Sequence, residues 1–415
     1  MADDLATAFD AARAEAYSTP LDEIDVSVNQ RFADNTFWPF FERLRHEAPV
    51  HYCPESEAGA YWSVTRFNDI VEVESHHEVF SSQGSISIYE QAEDFQLPMF
   101  IAMDPPKHDA QRKVIAPIVS TDSLQTMAPL IRQRAAKILD ELPIGETFDW
   151  VDRVSVELTT QMLATLFDLP FEERRKLTYW SDLTTSDQSE TMTDEQVRGE
   201  LMGCAMYFQN LWNERKQAPP ANDLISMLAH GESTRDMQLM EFLGNILLLI
   251  VGGNDTTRNS ISGGLYAMNK FPEAYQRLRA DPALLESAVP EIIRWQTPVA
   301  HMRRTALADT EFGGKTIRKG EKVVMWYVSG NRDETVIDRP DAFIIDRPRP
   351  RQHLSFGFGI HRCVGMRLAE MQLKIVWEEI LMRFPKIEVV EEPTRLKSCF
   401  LRAYRAMPVH IPARA

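Results

Sequence analysis

Apolar residues recur at helical spacing over most of residues 104–296. One predicted helix is unusually long: it begins near Ser233, with Asp236 three residues later as in an N-terminal cap, and runs to about Lys270. At ~1.5 Å per residue it would be roughly 55 Å long. Its centre, Phe242–Val251, is apolar on nearly all sides, which predicts a helix in the core.

Strand patterns are short and lie towards the two ends of the chain. Residues 61–67 follow the turn residues 54–59 and predict half of a hairpin, and residues 311–330 predict a strand, a turn and a second strand. A final helix is predicted from about Cys363 to Phe384, and the tail 387–411 is predicted as short strands. The whole pattern predicts a mainly α fold with small β-sheets.

Two parts of the chain depart from regular periodicity. Residues 1–30 form a polar N-terminal segment that we expect to be loosely ordered, whereas residues 31–415 show no linker or change of composition and predict a single domain. Residues 81–100 are irregular yet rich in apolar side chains, which is typical of a loop that lines a pocket. Residues 177–208 are predicted to form a mobile lid.

Composition excludes several classes of protein. With 44% hydrophobic and 26% charged residues the chain is an ordinary globular protein, and its formal net charge of −16 argues against nucleic-acid partners. Its longest purely aliphatic run, Ile246–Val251, is far shorter than the ~20 residues that cross a bilayer. The acidic N-terminus lacks the features of a secretory signal. We therefore expect a cytoplasmic protein without a membrane anchor.

The cysteines are too far apart for a zinc cluster, a covalent haem motif or a disulfide framework. They are Cys53, Cys204, Cys363 and Cys399. Cys363 stands out because it closes the segment Phe356-Gly-Phe-Gly-Ile-His-Arg-Cys-Val-Gly365, just before an amphipathic helix. The glycines let the backbone approach a flat group, and the helix start favours a thiolate suited to an axial iron ligand. The alternative is a buried cysteine acting as a small apolar side chain.

The pattern F-x-x-G-x-H-x-C-x-G in this segment resembles the signature of the cytochrome P-450 superfamily at every fixed position. The resemblance implies a triangular, mainly helical prism that holds haem b between the long oxygen-binding helix and the Cys-bearing helix. Cys363 would be the axial iron ligand. Glu291 and Arg294, at i and i+3 on a helix, would be the buried pair of the haem-side core. The other implied haem contacts are Phe356, His361 and Gly365 in the loop and, for the propionates, His108, Arg112, Arg303 and His353.

The long helix contains the segment Gly252-Gly-Asn-Asp255-Thr256-Thr257, which breaks the rules of core packing. A glycine inside a helix costs roughly 1 kcal/mol relative to alanine, and buried polar groups are costly unless they are hydrogen-bonded. Such local violations are expected at functional sites. We interpret Gly252 and Gly253 as room for the cofactor and O₂, and Thr256 and Asp255 as the alcohol and acid that deliver protons, as the resemblance also implies.

Several longer segments resemble the soluble bacterial branch that hydroxylates the terminal carbon of medium-chain alkanes and related linear chains, including fatty acids. Among them are Arg294-Trp-Gln-Thr-Pro and His353-Leu-Ser-Phe-Gly. A terpene or steroid substrate remains an alternative, and His301 leaves room for a polar substrate group. The predicted substrate contacts are Ile86, Ile88, Leu248, Val251, Val299, Phe400 and Leu401.

The chain contains no flavin or nicotinamide module, so a monooxygenase of this kind needs a separate electron donor. We expect a 2Fe–2S ferredoxin with an NAD(P)H ferredoxin reductase. A peroxygenase would need no acid–alcohol pair, and a non-enzymatic haem sensor would need neither that pair nor a donor. The predicted basic docking surface comprises Arg112, Lys113, Arg349, Arg351, Arg362 and Arg367.

Overall fold

The computed structural model describes residues 2–185 and 191–415. Its helical elements confirm the mainly α class. The helices are α1 (Ala2–Ser18), α2 (Asn29–Ala33), α3 (Trp38–Glu47), α4 (Phe67–Ser75), α5 (Lys107–Ile115), α6 (Thr121–Asp140), α7 (Glu157–Phe167), α8 (Arg175–Thr185), α9 (Asp194–Gln217), α10 (Leu224–His230), α11 (Leu239–Lys270), α12 (Pro272–Ala280), α13 (Leu285–Gln296), α14 (Tyr327–Gly330) and α15 (Met366–Arg383).

The strands form a mixed five-stranded sheet, order β1-β2-β8-β5-β3, and small sheets of order β4-β12-β9, β10-β11 and β6-β7. In the larger sheet β2 and β8 run parallel, and the other pairs are antiparallel. The strands are β1 (Val50–Cys53), β2 (Tyr61–Val64), β3 (Phe80–Ser81), β4 (Thr147–Asp149), β5 (Met302–Ala306), β6 (Thr310–Phe312), β7 (Lys315–Ile317), β8 (Lys322–Met325), β9 (Glu388–Val389), β10 (Thr394–Arg395), β11 (Tyr404–Ala406) and β12 (Pro408–His410). The predicted hairpin and the strands of the tail are confirmed.

Helix α11 is the central element, and its 32 residues span roughly 48 Å. It packs against α7, α8, α9, α13 and α15. The predicted start at Ser233 is wrong, because α11 begins at Leu239. The Ser233 hydroxyl donates to the Ala110 carbonyl, and the Thr234 hydroxyl donates to the Leu228 carbonyl at the end of α10. Both hydroxyls therefore serve neighbouring helices and do not cap α11.

The N-terminal segment is more ordered than its polarity predicts. Helix α1 covers residues 2–18, and its Ala12 and Ala16 are buried in a cluster that includes Phe41 of α3. These small side chains, one helical turn apart, let the two helices approach closely. Arg13 adds a two-point ion pair with Glu42 at 2.8 and 2.9 Å.

No single helix within the described residues is long and apolar enough to cross a membrane. One bent pair, Lys107–Val119 with Thr121–Asp140 at 48°, passes the same test of length and composition.

Candidate active site

Cys363 lies three residues before α15, on a loop with a constrained backbone. Its N–H donates to the Phe356 carbonyl at 2.8 Å. Gly359 has a φ of +63°, and a Cβ there would collide with the Glu74 carbonyl, so only glycine fits. The sulfur is exposed to an interior cavity and is surrounded by protein on its other sides. The loop therefore presents one thiol to the cavity from a fixed position.

Burial raises the pKa of the Cys363 thiol. The backbone N–H groups of Gly365 and Met366 and the Arg112 guanidinium act in the opposite direction. The predicted influences of the helix start and nearby cations are present, but burial outweighs them in the bare thiol. A metal ion at the sulfur reverses that balance, because a coordinated thiol is deprotonated.

The cavity of about 560 Å³ lies between this loop and the middle of α11. Along α11 it is lined from Leu247 to Ser260, which is roughly 20 Å of helix. A Cβ on Gly252 would meet no atom within 4 Å, so this glycine opens the helix face to the cavity. A Cβ on Gly253 would lie 2.8 Å from Leu163 Cδ1, so close packing of α7 also favours a glycine there. Only Gly252 is explained by the cavity alone.

Thr256 and Asp255 occupy different sides of α11. Thr256 lines the cavity, and its hydroxyl donates to the Gly252 carbonyl at 3.0 Å. Asp255 is fully buried behind it; its Oδ2 accepts a hydrogen bond from Ser181 of α8 at 3.0 Å. The predicted acid–alcohol pair is thus present, with only the alcohol exposed to the cavity.

An ion-pair network connects Asp255 towards the surface. Arg258 Nη2 lies 2.7 Å from Asp255 Oδ1 and 2.8 Å from Asp182 Oδ1. The Asp182 side chain is 45% exposed. Burial raises the pKa of Asp255, while the Arg258 charge opposes that increase. Asp255 is therefore a carboxyl whose proton affinity is raised and whose network partners reach solvent.

Cationic and imidazole groups lie beside the Cys363 loop. Arg112, Arg304 and His361 line the cavity, and the His108 ring lies behind it, with its centroid 4.2 Å from that of His361 and its plane tilted by 56°. His361 Nε2 is bonded to the Ser82 hydroxyl at 2.9 Å, but His361 Nδ1 and His108 Nε2 are buried without a partner. Each of these nitrogens is a donor in the tautomer that places the ring proton on it, and a buried donor requires an acceptor. Two carboxylates at this wall would satisfy them, so these residues fit the propionates of haem.

Two predicted propionate contacts, Arg303 and His353, do not line the cavity. Arg303 lies on the opposite face of β5 from Arg304, with its Nη1 2.8 Å from Glu90 Oε1. Arg304 was missed because the sequence does not show which of two adjacent arginines on a strand faces inward. His353 lies near the Glu291–Arg294 pair, where burial and the Arg294 charge lower its pKa to about 3.

The Glu291–Arg294 pair is buried as predicted. Arg294 donates two hydrogen bonds to Glu291, at 2.7 and 2.8 Å, and others to the carbonyls of Asn331 and Pro340. Arg347, which the sequence did not single out, adds two more to Glu291 at 3.0 and 3.2 Å. The network ties α13 to the loop that leads to Cys363.

Most predicted substrate contacts line the cavity, and Ile88 does not. Ile88 is fully buried in a separate core cluster with Ala300 and Trp326. Loop residues that the sequence analysis did not name, Phe95, Leu97 and Met99, also line the cavity. The predicted contacts found at the cavity wall are Ile86, Leu248, Val251, Val299, Phe400 and Leu401, together with the cofactor contacts Phe356 and Gly365.

His301 is a structural link, so the interpretation that it leaves room for a polar substrate group is wrong. Its Nδ1 donates to the Cys399 carbonyl at 2.9 Å and its Nε2 accepts from the Ile88 N–H at 3.0 Å. Burial lowers the pKa of His301 to about 4, so the ring is neutral and can both donate and accept. The ring joins the irregular loop to the tail turn, and both segments carry cavity residues.

The predicted lid corresponds to α8 and the first part of α9, and residues 186–190 of it lie outside the described residues. Thr184, Thr185 and Arg198 of these helices line the cavity. Leu177 is fully buried in the core, whereas Met206 is exposed.

Comparisons with known proteins agree with this geometry. The family model described as cytochrome P-450 matches residues 191–401. Linalool 8-monooxygenase of Pseudomonas putida is 38% identical over 382 residues, which are 89% of this chain and 94% of that protein. Steroid C26-monooxygenase of Mycobacterium bovis is 33% identical over 399 residues, 90% of this chain and 89% of that protein.

Solved structures give the same result. Cytochrome P-450-153 of Novosphingobium aromaticivorans is 47% identical with a TM-score of 0.87, covering 93% of this chain and 98% of that one. CYP153D17 of Sphingomonas sp. PAMC 26605 is 47% identical with a TM-score of 0.89, covering 94% and 100%. Haem b and O₂ are the cofactor and co-substrate that this family implies. The chain therefore belongs to the cytochrome P-450 family and is a haem-thiolate monooxygenase.

Proposed function

We propose that this monooxygenase hydroxylates the terminal carbon of medium-chain linear alkanes or fatty acids. The observation that carries the proposal is the cavity, which follows α11 for roughly 20 Å and has mainly apolar side chains along its walls. A long apolar site suits a chain presented end-on. The sequence motifs that resemble the alkane-hydroxylating branch support the same substrate class.

When bound, haem b supplies the transfer of one oxygen atom from O₂ to a C–H bond. The residues of the chain position the participants. Cys363 would ligate the iron, and Arg112, Arg304 and His361 would hold the propionates. Gly252 leaves space next to α11, and the Thr256 hydroxyl, at the cavity surface, is placed to hold a proton near the reacting oxygen. Asp255 would resupply that proton by exchange with solvent beside the exposed Asp182, while Arg258 stays protonated and holds the two carboxylates together.

The test is product regiochemistry. Purified holoenzyme, with a surrogate ferredoxin and reductase, is given linear alkanes, fatty acids, and cyclic hydrocarbons matched to the alkanes in carbon number. We expect 1-alkanols and ω-hydroxy acids to dominate, because a long apolar cavity holds an extended chain with its end towards the reacting centre. Preferential oxidation of the cyclic compounds, with little product from linear chains, would contradict the proposal.

A terpene or steroid substrate is the second candidate. It is favoured by the relatives whose names specify linalool and steroids, at 38% and 33% identity. The same panel decides between the two candidates when linalool and a steroid are added. A non-enzymatic haem sensor is not supported, because these relatives are monooxygenases.

We also propose a 2Fe–2S ferredoxin, supplied by an NAD(P)H reductase, as the electron donor. Lys113, Arg349, Arg362 and Arg367 are exposed around the Cys363 loop, as a basic docking surface requires. Arg112 contributes less than predicted, because its guanidinium donates to the Arg362 carbonyl beside the cavity. Arg351 pairs with Glu370 at 3.0 Å.

Charge reversal tests the docking surface. We expect the double variant Arg349→Glu/Arg367→Glu to lower ferredoxin-supported turnover by about 10-fold, because electrostatic steering of the acidic donor is lost. Peroxide-driven turnover needs no donor and should not change. Lys315→Glu, on the exposed β6–β7 hairpin, is the matched control. Unchanged ferredoxin-supported turnover in the double variant would show that the donor binds elsewhere.

A further inference from the structure

Arg198 is set apart from the other charged residues of the cavity wall. Of the charged side chains that line the cavity in the described part of the chain, Glu74, Arg112 and Arg304 lie at the Cys363 loop. Glu74 accepts from the Phe358 N–H and pairs with Arg304 at 3.3 Å, and Arg112 donates to the Arg362 carbonyl. Arg198 instead belongs to α9, in a wall that is otherwise mainly apolar.

The loop that Arg198 touches contacts α11 just before the part of the helix that lines the cavity. Arg198 contacts Asp94 and lies over the Phe95 ring, 5.4 Å from its centroid. Two contacts join this loop to α11 about two turns before Gly252. A Cβ on Gly244 would collide with the Pro98 carbonyl. The Phe100 N–H donates to the side chain of Asn245 at 2.9 Å. Eight residues of helix separate Gly244 from Gly252, which is roughly 12 Å.

The ion pair between Arg198 and Asp94 is one that another carboxylate can displace. Two guanidinium nitrogens bind the two Asp94 oxygens at 2.6 and 3.0 Å, the geometry in which arginine recognises any carboxylate. The Asp94 side chain is 73% exposed and that of Arg198 34%. Ion pairs this exposed contribute little to stability, so a second carboxylate arriving through the cavity can compete with Asp94.

We propose that Arg198 binds the carboxylate of a linear fatty acid whose methyl end lies over Gly252, with Asp94 as the counter-ion when no substrate is bound. The inference rests on the proposed function and narrows it, because an anchor at the far end selects acids over alkanes of equal length. It also gives the ω-carbon a defined position. No other cation that lines the cavity in the described residues is available for this role, since Arg112 and Arg304 lie at the Cys363 loop and would hold the haem propionates.

The experiment is a spectral titration of the holoenzyme with a saturated fatty acid and, separately, with its methyl ester, which has the same chain without the charge. In Arg198→Gln we expect the Kd of the acid to rise at least 10-fold, the magnitude of a lost hydrogen-bonded charge contact, and the Kd of the ester to stay within 2-fold. Asp94→Asn removes the competitor, so the acid should bind several-fold more tightly. Arg198→Lys should fall between Arg198→Gln and the unaltered protein.

Four results would overturn the proposal. Equal weakening of acid and ester in Arg198→Gln would mean that Arg198 only joins the loop to α9. Weaker acid binding in Asp94→Asn would mean that the ion pair itself is needed. If neither acid nor ester binds to the unaltered protein while a cyclic substrate does, the proposed function fails and this inference fails with it. Binding of the ester alone would leave the linear-chain function intact and reject the anchor.

Discussion

Glu291→Gln should destabilise the folded protein by about 3–5 kcal/mol, because it leaves Arg294 and Arg347 buried without a compensating charge. Arg294 is completely buried and Arg347 nearly so, and both donate two hydrogen bonds to this carboxylate. An amide keeps the shape of the side chain but not its charge. The measurement is chemical denaturation of the holoenzyme, followed by the haem absorbance and by circular dichroism.

Glu370→Gln is the matched control. Its partner Arg351 is 56% exposed, and exposed ion pairs of this kind are worth at most about 1 kcal/mol. If Glu291→Gln lost as little unfolding free energy as this control, the interpretation of Glu291, Arg294 and Arg347 as a buried network that stabilises the core would be contradicted.

The stabilisation that Glu291 provides should depend on pH, because it requires the ionised carboxylate. Burial opposes its ionisation, but the hydrogen bonds and charges of Arg294 and Arg347 outweigh burial and hold its pKa below the ordinary value. The ionised carboxylate therefore stabilises the fold at neutral pH, and this contribution is lost as the pH falls through the lowered pKa. Glu291→Gln should lack that component of acid sensitivity.

The features that the sequence predicted correctly have local causes. The apolar centre of α11, the glycine at position 252 and the loop before α15 follow from side-chain periodicity and from a motif read within ten residues. These features need no knowledge of how distant segments meet. The burial of the Glu291–Arg294 pair was implied by the resemblance to the cytochrome P-450 superfamily, whereas the i and i+3 spacing alone only places both groups on one helix face.

The wrong predictions depend on contacts between distant segments. Ser233 resembles a helix cap, but its hydroxyl is taken by Ala110, more than a hundred residues away. Arg303 and Arg304 differ only in which face of β5 they occupy, and β8 and β3 set that register. His301 is polar because it joins the loop at Ile88 to the tail at Cys399, which only the folded chain brings together.

Arg198 was missed for the same kind of reason. On α9 it stands among the acidic residues Asp194, Glu195 and Glu200, a composition that indicates an ordinary solvated helix face. Its place in the cavity wall becomes evident only in the folded chain, because loop residues 91–97, about a hundred positions earlier, fold against it and line the same cavity. The proposed anchor would therefore make specificity depend on the irregular loop as much as on the motif-bearing elements.

Asp255→Asn and Thr256→Ala should both impair turnover, but in different ways, because the two groups occupy different sides of α11. Asn cannot take up and release a proton, so Asp255→Asn should lower product formation by about 100-fold, the scale of general acid–base catalysis, and increase the solvent deuterium isotope effect. Thr256→Ala removes the hydroxyl at the cavity surface. It should continue to consume NAD(P)H and O₂ while releasing hydrogen peroxide in place of most of the product.

Ser262→Ala is the control for both variants, since it removes a buried hydroxyl from the same helix, where Ser262 contacts Ser155 at 2.8 Å. It should lower stability without changing the ratio of product formed to NAD(P)H consumed. The ratio is measured in all three variants, together with the substrate-induced spectral shift that reports substrate binding. The two measurements together distinguish impaired proton delivery from general damage to α11. If Thr256→Ala kept the ratio of the unaltered protein, the hydroxyl would serve only its bond to the Gly252 carbonyl, and the proton would have to reach the cavity by a route that bypasses Thr256.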